Sequence, residues 1–332
     1  MKYDLVQDNI KMLYLASPRG FCAGVSRAVS IVELAIERFG TPIFVRKEIV
    51  HNACVVRELT KRGVVFVNEL DDIKKYNLDA DIQPTVIFSA HGVSPEVFKV
   101  AEYMDLRIVD ATCPLVERVH KRAKKYAEDG YNILLIGHKE HEEVQGTLGV
   151  INSACGKVQV IERIEDIRNL ELANPCKWLS QTTISYSDTL EIVHALTQKF
   201  PFLDGSAGLD ICYATTNRQK ATYELVKTVG KNGVVLVVGS KNSSNTLRLV
   251  ENAAHLGVNA LRLEDADAID SKLIKTLADA KNIGITSGAS VPEHLVEEIV
   301  QKIVDKFPNV KAQTITTTVE NTHFALPKSL QQ

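Results

Sequence analysis

Short apolar runs, each ending in a polar or glycine-containing loop that leads into a helix-like stretch, recur along this chain. They fall at 13–15, 41–45, 85–88, 106–109, 133–136, 178–179, 234–238 and 283–285. Strands alternating with helices restrict the fold severely, to parallel sheets with helices on their faces. Helix signals stand where this plan needs them. Ser94 before Pro95 reads as an N-cap and first helical residue, Ser185 to Asp188 as a capping pattern, and Ser290 to Glu293 as a capping box. Gly63 and Gly257 read as helix stops. Ligands bind such sheets at the carboxyl ends of the strands, so the loops are where function is expected.

Three cysteines occupy matching places in the repeat. Cys22 follows Leu13-Tyr14-Leu15, Cys113 follows 106–109, and Cys212 lies in Asp210-Ile211-Cys212-Tyr213. They stand 91 and 99 residues apart. From them the register continues: Cys22 to His51 is 29 residues, Cys113 to His141 is 28, and Cys212 to Ser243 is 31. His51 to His91 is 40, His141 to Thr182 is 41, and Ser243 to Ser290 is 47. The expectation is an α/β protein built three times over, its three cysteine units facing one cavity.

With 332 residues the chain can bury a large core. A net charge of −2 gives no footprint for nucleic acid or an anionic membrane surface. No apolar run reaches the roughly 20 residues of a membrane helix. The start, 1–10, carries Asp4 and Asp8 and no apolar stretch, so neither a secretory signal nor a transit peptide is expected. A cytoplasmic location follows, where thiols stay reduced. Cys54, Cys155 and Cys176 lack the repeated context and read as small buried or incidental thiols.

Three cysteines in register suggest a three-ligand metal site. Structural zinc uses closely spaced pairs, which are missing, and a disulfide would leave one cysteine over. An iron–sulfur cluster fits better. Cubane clusters normally take four thiolates, so three leave one iron open to a substrate oxygen. Helix starts after Cys22 and Cys113 would favour the thiolate.

The remaining strand ends carry His51 and His91 in the first third and Ser243, Ser244, Asn245 and Ser290 in the last. Histidines with hydroxyls at helix starts suit a diphosphate. No GxxxxGK[ST] loop and no complete GxGxxG fingerprint is present. His138, Glu140, His141, Glu142 and Glu143 crowd one loop. His141 to Gln145 is one helical turn, from which Glu143 could point inward and donate a proton beside the open iron, with Thr182 or Thr183 as relay.

These motifs resemble the 4-hydroxy-3-methylbut-2-enyl diphosphate reductase family. The resemblance rests on Pro18-Arg19-Gly20-Phe21-Cys22-Ala23-Gly24-Val25, Ser89-Ala90-His91-Gly92, Asp110-Ala111-Thr112-Cys113-Pro114, Cys212-Tyr213-Ala214-Thr215-Thr216-Asn217-Arg218-Gln219 and Gly239-Ser240-Lys241-Asn242-Ser243-Ser244-Asn245, and runs over about 12–327. It implies a trefoil of three pseudo-threefold-related α/β domains around one [4Fe–4S] cluster held by Cys22, Cys113 and Cys212, with one iron open. The domains would span 12–112, 113–208 and 209–300, with 301–332 packing back on the first. His51, His91, Ser243, Ser244, Asn245 and Ser290 match the family's diphosphate pocket, His141 and Thr182 its substrate contacts, and Glu143 its proton donor. The reaction implied is reductive dehydroxylation of an allylic diphosphate to isopentenyl and dimethylallyl diphosphate, the last step of the non-mevalonate pathway. Its electrons would come from a donor such as ferredoxin or flavodoxin with its reductase. Where the family usually has Pro before the catalytic Glu and Glu two residues after it, this chain has Glu142 and Gln145.

Two other readings stay open on the residues alone. A non-redox iron–sulfur enzyme like quinolinate synthase would also bring three cysteines together. A non-enzymatic metal or redox sensor would present a closed site. The alternating Thr, Val and Phe residues of 314–327 suggest strands that tie back onto the first third.

Overall fold

The structure is a computed structural model that describes residues 12–77, 82–205 and 210–331. The extension at 1–10 lies outside the described residues. The chain opens with strand β1 (Met12–Ser17) and helix α1 (Ala23–Phe39). There follow β2 (Ile43–Arg46), α2 (Ala53–Lys61), β3 (Val64–Val67), β4 (Thr85–Phe88), α3 (Pro95–Tyr103) and β5 (Arg107–Asp110). The second stretch holds α4 (Pro114–Glu128), β6 (Asn132–Ile136), α5 (Glu142–Ser153), β7 (Lys157–Ile161), β8 (Cys176–Ser180), α6 (Tyr186–Lys199) and the short β9 (Asp204–Gly205). The last holds α7 (Tyr213–Val229), β10 (Val234–Val238), α8 (Ser244–His255), β11 (Asn259–Leu263), α9 (Ser271–Ala278), β12 (Asn282–Ser287), α10 (Glu293–Lys306) and β13 (Lys311–Thr316).

The strands form three sheets, ordered β3-β2-β4-β5, β7-β6-β8-β9 and β11-β10-β12-β1-β13. The pairings in each are parallel. The protein is thus α/β with three helix-flanked parallel sheets, as the alternating pattern required. Two central strands are buried along their whole length: every residue of β4 and β10 is shielded from solvent. A parallel strand covered on both faces needs such a continuous apolar run.

The first three places of each sheet are filled by matching strands, and the fourth by the strand that leads to a cysteine. β5 precedes Cys113, β9 precedes Cys212 and β1 precedes Cys22. The repeat therefore closes on its cysteine strand, and the chain enters the fold on the last strand of a repeat. This places β1, which the sequence reading put with 12–112, beside β12 and β13. Its run Leu13-Tyr14-Leu15 would suit any covered parallel strand, so its partners could not be read from it.

Two compact units result, residues 1–22 with 213–322, and residues 23–212 with 323–332. The first contains the five-stranded sheet and the second both four-stranded sheets. β13 extends the sheet beyond β1, and Thr317 N–H continues the ladder to the Ser17 carbonyl at 2.9 Å. The stretch after it has no regular strand. In the second unit, 323–331 is tied to α1 by Arg27 Nε donating to the Ala325 carbonyl (2.7 Å) and Arg38 to that of Ser329 (3.1 Å).

Most helix starts follow the sequence signals. Ser94 caps α3 by position with Pro95 first in the helix, and Ser185 Oγ accepts the Asp188 N–H. Ser290 does not cap α10, whose N-cap is Pro292. A residue before proline is driven from the helical region, so Val291 cannot be the first helical residue and the helix starts later. Glu293 instead pairs with Arg19 at 2.5 Å.

Candidate functional site

The three repeated cysteines stand at three helix starts. Cys22 directly precedes α1, Cys113 is the N-cap of α4 with Pro114 first in the helix, and Cys212 directly precedes α7. Each backbone N–H is used alike. Cys22 donates to the Ala289 carbonyl (3.1 Å), Cys113 to that of Ala90 (3.0 Å) and Cys212 to that of Thr182 (3.0 Å). These acceptors lie at or beside Ser290, His91 and Thr182, the third positions of the register. The common bond is the physical reason the spacings agree.

None of the three is in a disulfide, and all are half-buried. The other cysteines differ. Burial pushes the Cys176 thiol up to about 11, and burial with a hydrogen bond to Glu58 raises that of Cys54. Cys155 is exposed rather than buried, in a turn with φ 56°. A helix N-terminus favours a thiolate. Three thiols so placed, without a closely spaced pair, fit the donor set of an iron–sulfur cluster.

Glu143 is the second residue of α5 and is 2 % exposed. Its carboxylate accepts the Thr182 N–H at 2.7 Å and the Thr182 hydroxyl at 2.9 Å. Burial outweighs these two bonds and pushes its pKa up to about 7. A carboxyl poised there is half protonated near neutrality, as a general acid should be. Thr182 thus holds Glu143 directly, while Thr183 Oγ1 accepts from Gln181 (2.8 Å).

His141 is the N-cap of α5, its Nδ1 accepting the Glu143 N–H at 3.2 Å. Its ring meets His51 and His91 edge-on, with centroids 5.4 and 5.7 Å away. His51 and His91 stack at 4.1 Å. Burial, then the neighbouring imidazoles, lowers His141 to about 3, and burial followed by His51 presses His91 well below its ordinary value. A nearby negative charge would act against this depression, since it favours the imidazolium.

Ser243 is the N-cap of α8, its Oγ accepting the Thr246 N–H at 3.3 Å. Ser244 opens the helix and Asn245 follows, Oδ1 accepting the Ala289 N–H (3.1 Å) and Nδ2 reaching Thr215 Oγ1 (3.4 Å). Ser290 is buried beyond β12. Hydroxyls and free N–H groups at a helix start can bind phosphate oxygens. The candidate residues divide between the units. Cys22, Ser243, Ser244, Asn245 and Ser290 lie in one; Cys113, Cys212, His51, His91, His141, Glu143 and Thr182 lie in the other.

Sequence reasoning missed the charges around the histidines. Glu48 Oε2 is 3.0 Å from His51 Nδ1, and Glu142 Oε2 is 3.6 Å from His91 Nδ1. Glu48 falls three residues before His51, a signal available in the sequence. Glu142 stood out as one of the loop's charges and as a departure, but not as a partner of His91. Gln145, the second departure, donates to the Lys139 carbonyl at 2.6 Å and braces the loop before α5.

Three half-buried cysteines at helix starts and a buried carboxyl raised to about 7 suit an α/β oxidoreductase. The chain belongs to the LytB protein family, whose model matches residues 13–304. It is 46% identical to 4-hydroxy-3-methylbut-2-enyl diphosphate reductase of Haemophilus influenzae (strain PittEE), over 96% of this chain and 98% of the relative. Against the reductase of that name from Shewanella oneidensis it is 44% identical with both chains fully covered. The solved E-1-hydroxy-2-methyl-but-2-enyl-4-diphosphate reductase of Plasmodium falciparum is 35% identical, with 97% of each chain covered and a TM-score of 0.88. Among the described residues no helix is long and apolar enough to cross a membrane.

Proposed function

We propose that this protein reduces (E)-4-hydroxy-3-methylbut-2-enyl diphosphate to isopentenyl and dimethylallyl diphosphate, the last step of the non-mevalonate isoprenoid pathway. The observation that carries the proposal is Glu143, a buried carboxyl with its pKa pushed up to about 7 and both oxygens held by Thr182. The reaction takes two electrons and two protons, breaks the bond from the allylic carbon to the hydroxyl oxygen, and releases water. Glu143 gives one proton to the departing hydroxyl, and the second proton goes to either end of the allyl system, which yields the two products.

Cys22, Cys113 and Cys212 would hold a [4Fe–4S] cluster, one from each of three α/β domains. When bound, such a cluster supplies the two electrons and, at the iron without a thiolate, a Lewis acid for the hydroxyl. Ser243, Ser244, Asn245 and Ser290 offer hydroxyls and N–H groups to the diphosphate, and His51 and His91 offer imidazole nitrogens. His141 and Thr182 orient the substrate beside Glu143. The burial of Glu143 and Thr182 excludes water from the proton that is delivered. The electron donor is a low-potential carrier such as ferredoxin, or flavodoxin with its reductase, and the location is the cytoplasm.

The test is anaerobic turnover of the butenyl diphosphate with a viologen reductant, following both products. Conversion is expected, with none of dihydroxyacetone phosphate. The absence of both isoprenoid products from cluster-loaded protein would sink the proposal.

A further inference from the structure

The helix that follows each cysteine carries an arginine, and each arginine reaches the loop that carries the next cysteine. Arg27 on α1 donates Nη1 to the carbonyls of Thr112 (3.0 Å) and Ala111 (3.3 Å), the two residues before Cys113. Arg122 on α4 pairs with the carboxylate of Asp210, two residues before Cys212. Arg218 on α7 donates Nη2 and Nε to the carbonyl of Gly20 at 2.8 and 3.2 Å, two residues before Cys22. In chain order the pattern runs from Cys22 to Cys113, from Cys113 to Cys212, and from Cys212 back to Cys22. Each of these bonds lies within a single compact unit.

The receiving loops are built around these contacts. Asp210 is fully buried and exchanges bonds with Ser180, whose N–H it accepts at 3.0 Å while its own N–H reaches Ser180 Oγ at 3.2 Å. Arg218 is also fully buried, with Glu320 as counter-ion at 3.2 Å. Gly20 has φ +69° and donates to Ser287 Oγ at 2.7 Å. Asp110 Oδ1 folds the third loop by accepting the Thr112 N–H at 2.9 Å. A buried guanidinium is costly unless its donors are satisfied, and a planar fork fixes the direction of what it binds.

We propose that Arg27, Arg122 and Arg218 are positioning residues, one per cysteine, each holding the loop of the next thiol in its ligand-ready form. That the thiols are ligands rests on the function proposed above; the holding does not. The experiment is timed iodoacetamide labelling of the full-length, cluster-free protein, read cysteine by cysteine by mass spectrometry with exposed Cys155 as the internal reference. Arg27→Gln should speed labelling of Cys113, Arg122→Gln that of Cys212 and Arg218→Gln that of Cys22, each by at least about fivefold. The other two repeated cysteines should stay within about twofold in each variant, as sites outside the lost contact should. Arg122→Lys should restore Cys212, because Asp210 needs only the charge, whereas Arg27→Lys should not restore Cys113, because Nη1 is aimed at its two carbonyls by Nε on the Ala325 carbonyl, a two-armed hold that an ammonium lacks. Should Arg218→Gln fail to fold, Glu320→Gln removes the counter-ion alone and should expose Cys22 selectively. Equal acceleration of all three cysteines, or none in a folded variant, would overturn the proposal. The readout uses neither cluster nor substrate, so failure of the proposed reaction would leave it standing.

Discussion

The loop after β6 and the loop after β10 leave their sheets in the same way and end in different chemistry. Gly137 N–H bonds the Ile161 carbonyl at 3.0 Å, and Gly239 N–H bonds that of Leu263 at 2.8 Å. A helix follows each, capped by His141 in one and Ser243 in the other. The first loop then delivers a buried carboxyl that can exchange a proton. The second delivers hydroxyls and an amide that cannot. The repeat fixes where a side chain arrives, and the residue type decides whether that place moves a proton or offers fixed dipoles.

Two isosteric exchanges test this division most strongly. Glu143→Gln removes the proton from the first loop and keeps an acceptor for Thr182. Turnover should fall by about 10²–10⁴-fold with substrate affinity little changed. Near-normal turnover would remove Glu143 from the donor role. Asn245→Asp does the reverse in the second loop, adding negative charge while leaving the acceptor for the Ala289 N–H. It should raise KM by about 10²-fold through like-charge repulsion and leave kcat within a few fold. Should Asn245→Asp lose kcat at unchanged KM, the two loops would not be divided as argued.

The pH dependence of stability separates the loops next. Because its folded pKa is raised to about 7, Glu143 keeps a proton in the folded state that the unfolded chain has already lost. Between about pH 4.5 and 7 stability therefore falls as pH rises, by roughly 3 kcal/mol over the window. His91 and His141 are depressed, so they act oppositely: the unfolded chain takes up protons first, and stability falls as pH drops below about 6.5. Urea unfolding of the wild type against Glu143→Gln isolates the carboxyl. The wild type should lose ground to the variant as pH rises from 5 to 8, and a pH-independent difference would contradict the raised pKa. Ser243→Ala, by contrast, should show a difference that is flat with pH.

The three-sheet α/β architecture was legible because a covered parallel strand needs an unbroken apolar run and each helix start needs a cap. Both requirements write themselves into local sequence. The cysteine register was legible for a stronger reason, the same backbone bond from each cysteine to the end of a neighbouring strand. What escaped was non-local. The partners of β1 depend on strands some 270 residues away, Met12 facing Asn282. The outer strands β3, β7 and β11 were also missed, although β7 alternates polar and apolar residues. Arg27, Arg122 and Arg218 read as ordinary helix-surface charges until their acceptors are seen. At Ser290 a correct local pattern was overruled by Pro292. Of the expected site, the structure brings together His51, His91 and His141, and Glu143 with Thr182, because those strand ends share one unit.

The smallest effect bears most directly on whether the two helix starts are equivalent. An imidazole Nδ1 caps α5 by accepting the Glu143 N–H, and a hydroxyl caps α8 by accepting that of Thr246. If both are true caps, removing the acceptor should cost the same in either loop, about 1 kcal/mol. Ser243→Ala measures this directly. His141→Ala does not, because it also removes the ring that meets His51 and His91. The difference between His141→Ser and His141→Ala does, since both lose the ring and only serine keeps an acceptor. Urea unfolding should place His141→Ser about 1 kcal/mol above His141→Ala, matching the loss in Ser243→Ala. Equal stability of the two His141 variants would mean that the first turn of α5 is held by Glu143 and Thr182 rather than by its cap. The two loops would then share an exit from the sheet but not a helix start.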